Sequence, residues 1–148
     1  MLSKKTQYAF RALTHLALNY GQEPVRISTI ALEQRIPLKF LENILVELKN
    51  ADLLESKKGK GGGYTLKMSP KKINLAKVIR VINGPIALMP CVSLNFYEKC
   101  NDCYDEESCG IRKMMIITRD ATLKILEKKT LYDVISVQGD SQCANKLL

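Results

Sequence analysis

Residues 28–68 read STIALEQRIPLKFLENILVELKNADLLESKKGKGGGYTLKM, and this stretch decides the fold. Ser28 has the side chain of a helix N-cap, and Ile27 with Leu32 has the spacing of a hydrophobic staple. A helix is therefore predicted from Ser28 to about Arg35-Ile36. Pro37 suits the first position of a following helix, where its missing N–H costs nothing. That helix runs to about Ala51, with Leu38, Leu41, Leu45 and Leu48 as an apolar stripe facing the core. Lys39, Glu42, Asn43, Val46 and Glu47 fall on or near its outer face. Two short helices joined by a tight turn, the second with polar residues near its start, match a helix-turn-helix.

The end of the stretch predicts two short strands, Leu53–Lys58 and Tyr64–Met68, around a tip of Gly59-Lys60-Gly61-Gly62-Gly63. A hairpin directly after a helix-turn-helix is a wing. Lys57, Lys58 and Lys60 would reach phosphates or a narrow minor groove. The glycine run is not a Walker loop, because Lys60 lies inside it and no Ser or Thr follows. It is not a dinucleotide fingerprint either, because Tyr64 stands where the last glycine is needed and no helix follows. A purely structural hairpin is the alternative.

Outward from this stretch, residues 3–20 read as a helix. Ser3 is its N-cap, Gly21 its stop, and Tyr8, Phe10, Ala12, Leu13, Leu16, Ala17 and Tyr20 form a broad apolar face. His15 within it reads as a packing or surface residue. Beyond the wing, Ser69-Pro70 breaks the strand and residues 74–82 read as a helix, with Leu75, Val78, Ile79 and Ile82 on one side. Asn83-Gly84-Pro85 ends it. A long helix follows from about Ser108 to Lys129. Ile111, Met114, Met115, Ile116, Ile117, Leu123, Ile125 and Leu126 leave it apolar over much of its circumference, which calls for a second neighbour such as another subunit; packing only within the chain is the alternative. Thr130 and Asp133 have capping-box spacing and should start a short final helix. Residues 138–148 read as loose, with Cys143 a free surface thiol.

The formal net charge is +8, and it is unevenly spread. Residues 1–83 hold 15 Lys and Arg against 6 Asp and Glu, whereas residues 84–148 hold 8 against 9. The positive field belongs to the N-terminal part, as suits a polyanion partner. No apolar run reaches the roughly 18 residues of a membrane span. The N-terminal MLSKKTQYAF has neither an apolar signal core nor a small-residue cleavage site, so a mature cytoplasmic chain is expected.

Between the two parts lies PCVSLNFYEKCNDCYDEESCG, residues 90–110, which holds Cys91, Cys100, Cys103 and Cys109. In a reducing compartment such clustered thiols are more often metal ligands or redox groups than structural disulfides. Thiolates bind iron–sulfur clusters and Zn²⁺ alike, and the C-x2-C pair at Cys100 and Cys103 can clasp one metal. A bare thiol/disulfide sensor is the third reading. The neighbouring Glu98, Asp102, Asp105, Glu106 and Glu107 oppose thiolate formation and disfavour it. A small redox enzyme or electron carrier fits less well. There is no paired acid and base set, only one histidine, and no role for the wing.

Together these residues give the chain its resemblance to a known group. Tyr8-Ala9 in the first helix, Pro37-Leu38-Lys39-Phe40-Leu41-Glu42, the Gly59–Tyr64 run and the Cys91–Cys109 loop before a long helix resemble the Rrf-two family of bacterial transcription regulators, with its IscR-, NsrR- and CymR-like members. The resemblance covers residues 1–136 and implies a mainly α fold: a winged helix-turn-helix with a long C-terminal dimerisation helix. It implies a winged helix-turn-helix domain at 1–83, a sensor loop at 84–110, a dimerisation helix and short final helix at 108–136, and a flexible tail at 137–148. The expected protein is a homodimeric repressor, not an enzyme, on a roughly palindromic DNA duplex. Its affinity is tuned by an iron–sulfur cluster ([2Fe–2S] or [4Fe–4S]) or by redox or nitric-oxide state. The alternative is a CymR-like, partner-controlled repressor with zinc or nothing in the loop.

The DNA-facing set is then Ser28, Lys39, Phe40, Asn43, Lys57, Lys58, Lys60 and Tyr64, and the ligand set Cys91, Cys100, Cys103 and Cys109. Two departures matter. Where IscR-like members carry a histidine three residues after the last cysteine, this chain has Arg112. Where NsrR-like members supply an acidic residue from the partner's first helix, it has Gln7.

Overall fold

The structure is a computed structural model that describes the backbone of residues 2–144 and the side chains of residues 2–138. The residue order builds α1 (Lys4–Leu18), α2 (Ile27–Gln34), α3 (Leu38–Asn50), β1 (Leu54–Lys57), β2 (Gly63–Leu66), α4 (Leu75–Ile82), α5 (Gly110–Lys128) and α6 (Leu131–Ala144). The Ser3 hydroxyl caps α1 by accepting the Thr6 N–H at 3.2 Å, as its sequence position predicts. Gly21 follows with φ +81°, a conformation that a side chain would strain.

Three details of the helix-turn-helix differ from the sequence expectation. Arg26, not Ser28, is the N-cap of α2, and no side chain caps that end. Ser28 therefore sits exposed in the first turn, and Ile27 is helical rather than a staple residue, with Leu32 80% exposed. Pro37 is the N-cap of α3 and not its first residue. The buried stripe of α3 is Leu41, Ile44, Leu45 and Leu48, all at zero exposure, while Leu38 is 47% exposed. Leu38 is the first helical residue and overhangs the core that the next turns cover. Between α2 and α3 the chain turns at Arg35, which takes the left-handed conformation (φ 50°) and donates its N–H to Ala31 and Leu32.

The core joins that stripe to Ala9, Ala12, Leu13 and Leu16 of α1, Ile30 of α2, Leu53, Leu54, Leu66, Ile73, Val78 and Leu131. Each fully buried leucine stabilises by about 1.5–3 kcal/mol relative to exposure. β1 and β2 pair antiparallel with Leu54 opposite Leu66 and Lys57 opposite Gly63. Val25 adds a bridge that the sequence did not announce. It exchanges both backbone hydrogen bonds with Tyr64, at 3.0 and 2.8 Å, and ties the wing to the segment before α2. A side chain at Gly63 would collide with the Val25 carbonyl there.

At the other end, Leu75 N–H donates to Lys129 O (2.9 Å) and Leu131 N–H to Ile73 O (3.0 Å), clasping the α5–α6 junction to the start of α4. The Thr130–Asp133 capping box is present: Thr130 N–H and hydroxyl both donate to Asp133 Oδ2 at 2.8 Å. The helix it starts is longer than expected, running through Ala144 instead of ending before the predicted loose tail. The Cys143 side chain and residues 145–148 lie outside the described set. Among the described residues no helix is long and apolar enough to cross a membrane.

Replacing Leu45 with Ala should lower the unfolding free energy by about 2–5 kcal/mol in a denaturant titration, because it opens a cavity in the core. Leu32→Ala should stay within about 0.5 kcal/mol of the parent. The Thr130 donors hold the Asp133 carboxyl below its ordinary value. Its contribution is therefore complete above the ordinary carboxylate pKa and lost as pH falls through the lowered one. Asp133→Asn should reduce the thermal midpoint at about pH 7 and leave it near the parent's at about pH 2.

Candidate nucleic-acid interface and thiol loop

Because α3 turns Leu41, Ile44, Leu45 and Leu48 inward, its opposite side faces solvent. Lys39, Phe40, Glu42, Asn43 and Val46 are exposed along its first two turns. The Phe40 ring meets Tyr8 of α1 edge-on, at 5.7 Å between centroids and 81° between planes. Lys57, Lys58 and Lys60 are exposed on the wing. Lys49 near the end of α3 donates to Ser56 of β1 at 2.6 Å, which fixes the wing against the helix. Ser28 is exposed and available; Tyr64 is not equivalent, because it is half-buried and packs on the core. His15 is buried, as a packing residue, with Gln34 and Glu33 at 3.3 and 3.5 Å from Nδ1.

The thiol loop begins at a 3-10 turn, Pro90–Val92, that buries Cys91. Arg119 of α5 anchors the turn by donating to the Val92 carbonyl at 2.5 Å. Cys91 and exposed Cys100 line one cleft of about 280 Å³ with Leu88, Met89, Pro90 and Glu98. Cys103 N–H donates to the Cys100 carbonyl at 3.1 Å, which closes the C-x2-C turn. Cys109 is the N-cap of α5, its Sγ accepting the Arg112 N–H at 3.4 Å.

The four thiols are thus divided between a buried floor, a tight turn and a helix end. Among the described residues, no group of three or more His, Cys, Asp and Glu side chains is placed to hold a metal ion. Metal sites made of thiolates form as the ligands bind, since unscreened thiolates repel one another. At Cys103 burial acts first and this repulsion second. The pKa of its thiol is raised first by desolvation, then by the charges of Cys109, Cys100 and Glu106. The acidic surroundings expected to oppose thiolates therefore do act on Cys103, but behind burial and the neighbouring sulfurs.

Other groups brace the segment. The Tyr97 hydroxyl donates to Glu106 at 2.6 Å, and that bond raises the phenol's pKa. Asp105 accepts from the Glu107 and Ser108 N–H groups, and its carboxyl is held below the ordinary range first by the Ser108 side chain and then by those two N–H groups. Among the described residues one buried side-chain polar atom is left over: Arg112 Nε has no hydrogen-bond partner. It lies one helical turn past Cys109, where an anionic centre would give it an acceptor. Four soft thiol donors, with the unpartnered Arg112 Nε three positions beyond the last of them, fit, in donor chemistry, a thiolate-bound cluster or zinc.

A family model described as "Rrf2: Iron-dependent Transcriptional regulator" matches residues 2–137. The chain belongs to the Rrf2 family. An rrf2-like HTH-type transcriptional regulator of Rhodobacter capsulatus is 35% identical over 92% of this chain and 93% of its own length. The regulator NsrR of Halalkalibacterium halodurans is 27% identical over 99% and 97%. The structure of CymR, the global cysteine regulator of Bacillus subtilis, superposes with a TM-score of 0.76 at 30% identity, covering 93% of this chain and 97% of CymR. The winged-helix fold expected of an Rrf2 protein is thereby established, and these relatives are regulators of transcription rather than enzymes.

Val25 and Arg112 are the residues of this region that sequence reasoning passed over. Val25 acts by a bridge 39 positions away, and Arg112 stood out only as a missing histidine. Under native conditions a maleimide should label Cys100 fastest and Cys91 only on unfolding, with Cys103 retarded by its raised pKa, as read by mass spectrometry. Equal rates at all four thiols would contradict this arrangement.

Proposed function

We propose that this Rrf2 protein is a cytoplasmic, homodimeric, DNA-binding transcription regulator, acting as a repressor, and that an iron–sulfur cluster or the redox or nitric-oxide state of its thiol loop tunes its affinity. The observation that carries the DNA reading is the outward face of α3 beside a fixed wing with three exposed lysines. A helix with its apolar side fully buried presents its polar side at a defined height for insertion into the major groove. Lys39 and Asn43 would face base edges, joined by Ser28 and Phe40, while Lys57, Lys58 and Lys60 hold the backbone or minor groove. Tyr64 supports the wing from beneath.

The dimer reading rests on α5. Ile111, Met114, Ile117 and Ile125 are each more than half exposed on one helix, and a lone chain leaves this surface in water. Residues 84–110 then lie between the winged helix of 1–83 and the dimerisation element that starts near 108. Cys91, Cys100, Cys103 and Cys109 would hold the cluster, which supplies an electron-accepting and gas-reactive centre when bound. Without a histidine at Arg112, the fourth thiol completes the set. A change in the loop's rigidity biases the spacing of the two recognition helices. A coupling of about 1–3 kcal/mol between loop and DNA would alter affinity by roughly 5–150-fold.

The likeness to CymR favours a second reading, in which the loop holds zinc or no metal and another protein sets the affinity. Anaerobic purification separates the two. A brown protein whose visible absorption disappears in the Cys100→Ser and Cys103→Ser variants supports the cluster, and a colourless zinc protein sinks it. DNA binding is tested by anisotropy against a palindromic duplex over a salt series. Lys57→Gln with Lys60→Gln should reduce the slope of log K against log salt by about 2 for each protomer bound, about 4 for the dimer, and Asn43→Ala should cost about 1–3 kcal/mol at each half-site with relaxed sequence preference. No duplex affinity at low salt would end the reading.

A further inference from the structure

A second cationic feature lies on α1, outside the recognition helix and the wing. Lys4, Tyr8 and Arg11 are spaced i, i+4 and i+7, which puts them on one face of the helix. Lys4 Nζ stands 5.4 Å from the Tyr8 ring centroid, and Arg11 Cζ stands 5.9 Å from it. The same ring meets Phe40 edge-on. Phe40 is exposed in the first turn of α3, the end of a recognition helix that approaches the bases. One turn on, His15 of α1 meets Glu33 and Gln34 at the end of α2. This face of α1 therefore runs alongside both helices of the helix-turn-helix.

The charge state of the pair sets it apart from its neighbour. Lys5 is neutralised by Glu47, at 2.6 and 2.8 Å. Among the described residues, Lys4 and Arg11 have no carboxylate within ion-pair distance, and both are exposed. Tyr8 is half-buried and packs on the core, so its ring is a fixed support. A cation held on an aromatic face has less rotamer freedom to lose when an anion arrives. Two such cations beside the exposed start of α3 lie where the backbone flanking a major groove passes.

We propose that Lys4 and Arg11, held on the Tyr8 ring, are a phosphodiester-binding pair that grips the duplex beside the groove read by α3. This rests on the DNA-binding reading given above and adds α1 to the interface. The contact is to phosphate oxygens, so it contributes affinity and register without selecting bases.

The test uses the full chain and a fluorescein-labelled mixed-sequence duplex of about 30 base pairs, followed by anisotropy across a salt series. The Lys4→Gln, Arg11→Gln double variant should lower the slope of log K against log salt by about 2 for each protomer bound, about 4 for the dimer, and Arg11→Lys alone should keep the parent slope. Lys124→Gln, an exposed charge on α5, serves as the control for net charge and should leave the slope unchanged. Unfolding midpoints for the α1 variants should match the parent, since both side chains are at the surface. A parent-like slope in the double variant, with Lys57→Gln and Lys60→Gln still lowering it, overturns this proposal alone. An equal fall per charge in the Lys124 control overturns it as well. No duplex affinity in the parent protein overturns it together with the reading it rests on.

Discussion

The complete burial of one side of α3 is the constraint on which the rest depends. Leu41, Ile44, Leu45 and Leu48 have no exposed surface, and they meet Ala9, Ala12, Leu13 and Leu16 of α1 in one core. A helix fixed on that side cannot rotate about its axis without exposing leucine. Its outer residues, Lys39, Phe40, Asn43 and Val46, therefore keep one orientation, as the proposed reading of base edges requires. The wing inherits the constraint through Lys49 and Ser56, and through the two hydrogen bonds that Tyr64 exchanges with Val25.

The second half of the chain is built differently. α5 buries only Leu123 among its side chains and rests on α4 and the Pro90–Val92 turn. Its ends have unlike attachments. The C-terminal end is clasped by paired backbone bonds from Ile73 and Leu75 and by the buried Leu131. The N-terminal end is capped by a cysteine thiol, a weak acceptor, and followed by an arginine whose Nε has no partner. The firm end belongs to the DNA-reading half and the weakly held end to the sulfur loop.

What the sequence made legible follows the range of each interaction. Local chemistry read true: the Ser3 cap, the Thr130–Asp133 box, the strand pairing around the glycine tip, and His15 as a packing residue. Mistakes came where tertiary packing chose among local options. Ser28 looked like a cap, but the helix starts one residue earlier. Leu38 fitted the stripe by period, yet Ile44 occupies the core because Leu38 lies at the helix end. The Val25–Tyr64 bridge has no local signature. For the candidate site, the exposed polar face of α3 followed from periodicity, whereas the spatial division of the thiols did not, since loop spacing says little about direction. The Tyr8 ring likewise reads in sequence as one more apolar position; only its contact with Phe40 shows that it stands at the edge of the helix-turn-helix.

The unequal attachment of α5 has a geometric consequence. The helix has 19 residues and a length of roughly 28 Å. Were it to tilt about its clasped end at Lys128, the bond from Arg119 to the Val92 carbonyl would carry the motion into the Pro90–Val92 turn. At that arm length a tilt of about 2° moves the Gly110 end by about 1 Å. Read in the opposite direction, a sub-ångström rearrangement around Cys109 becomes an angular change between whole bodies. In the proposed symmetric pair the two tilts would add, so a displacement of that size at the sulfur loop would appear as a change in the relative angle of the two winged helices.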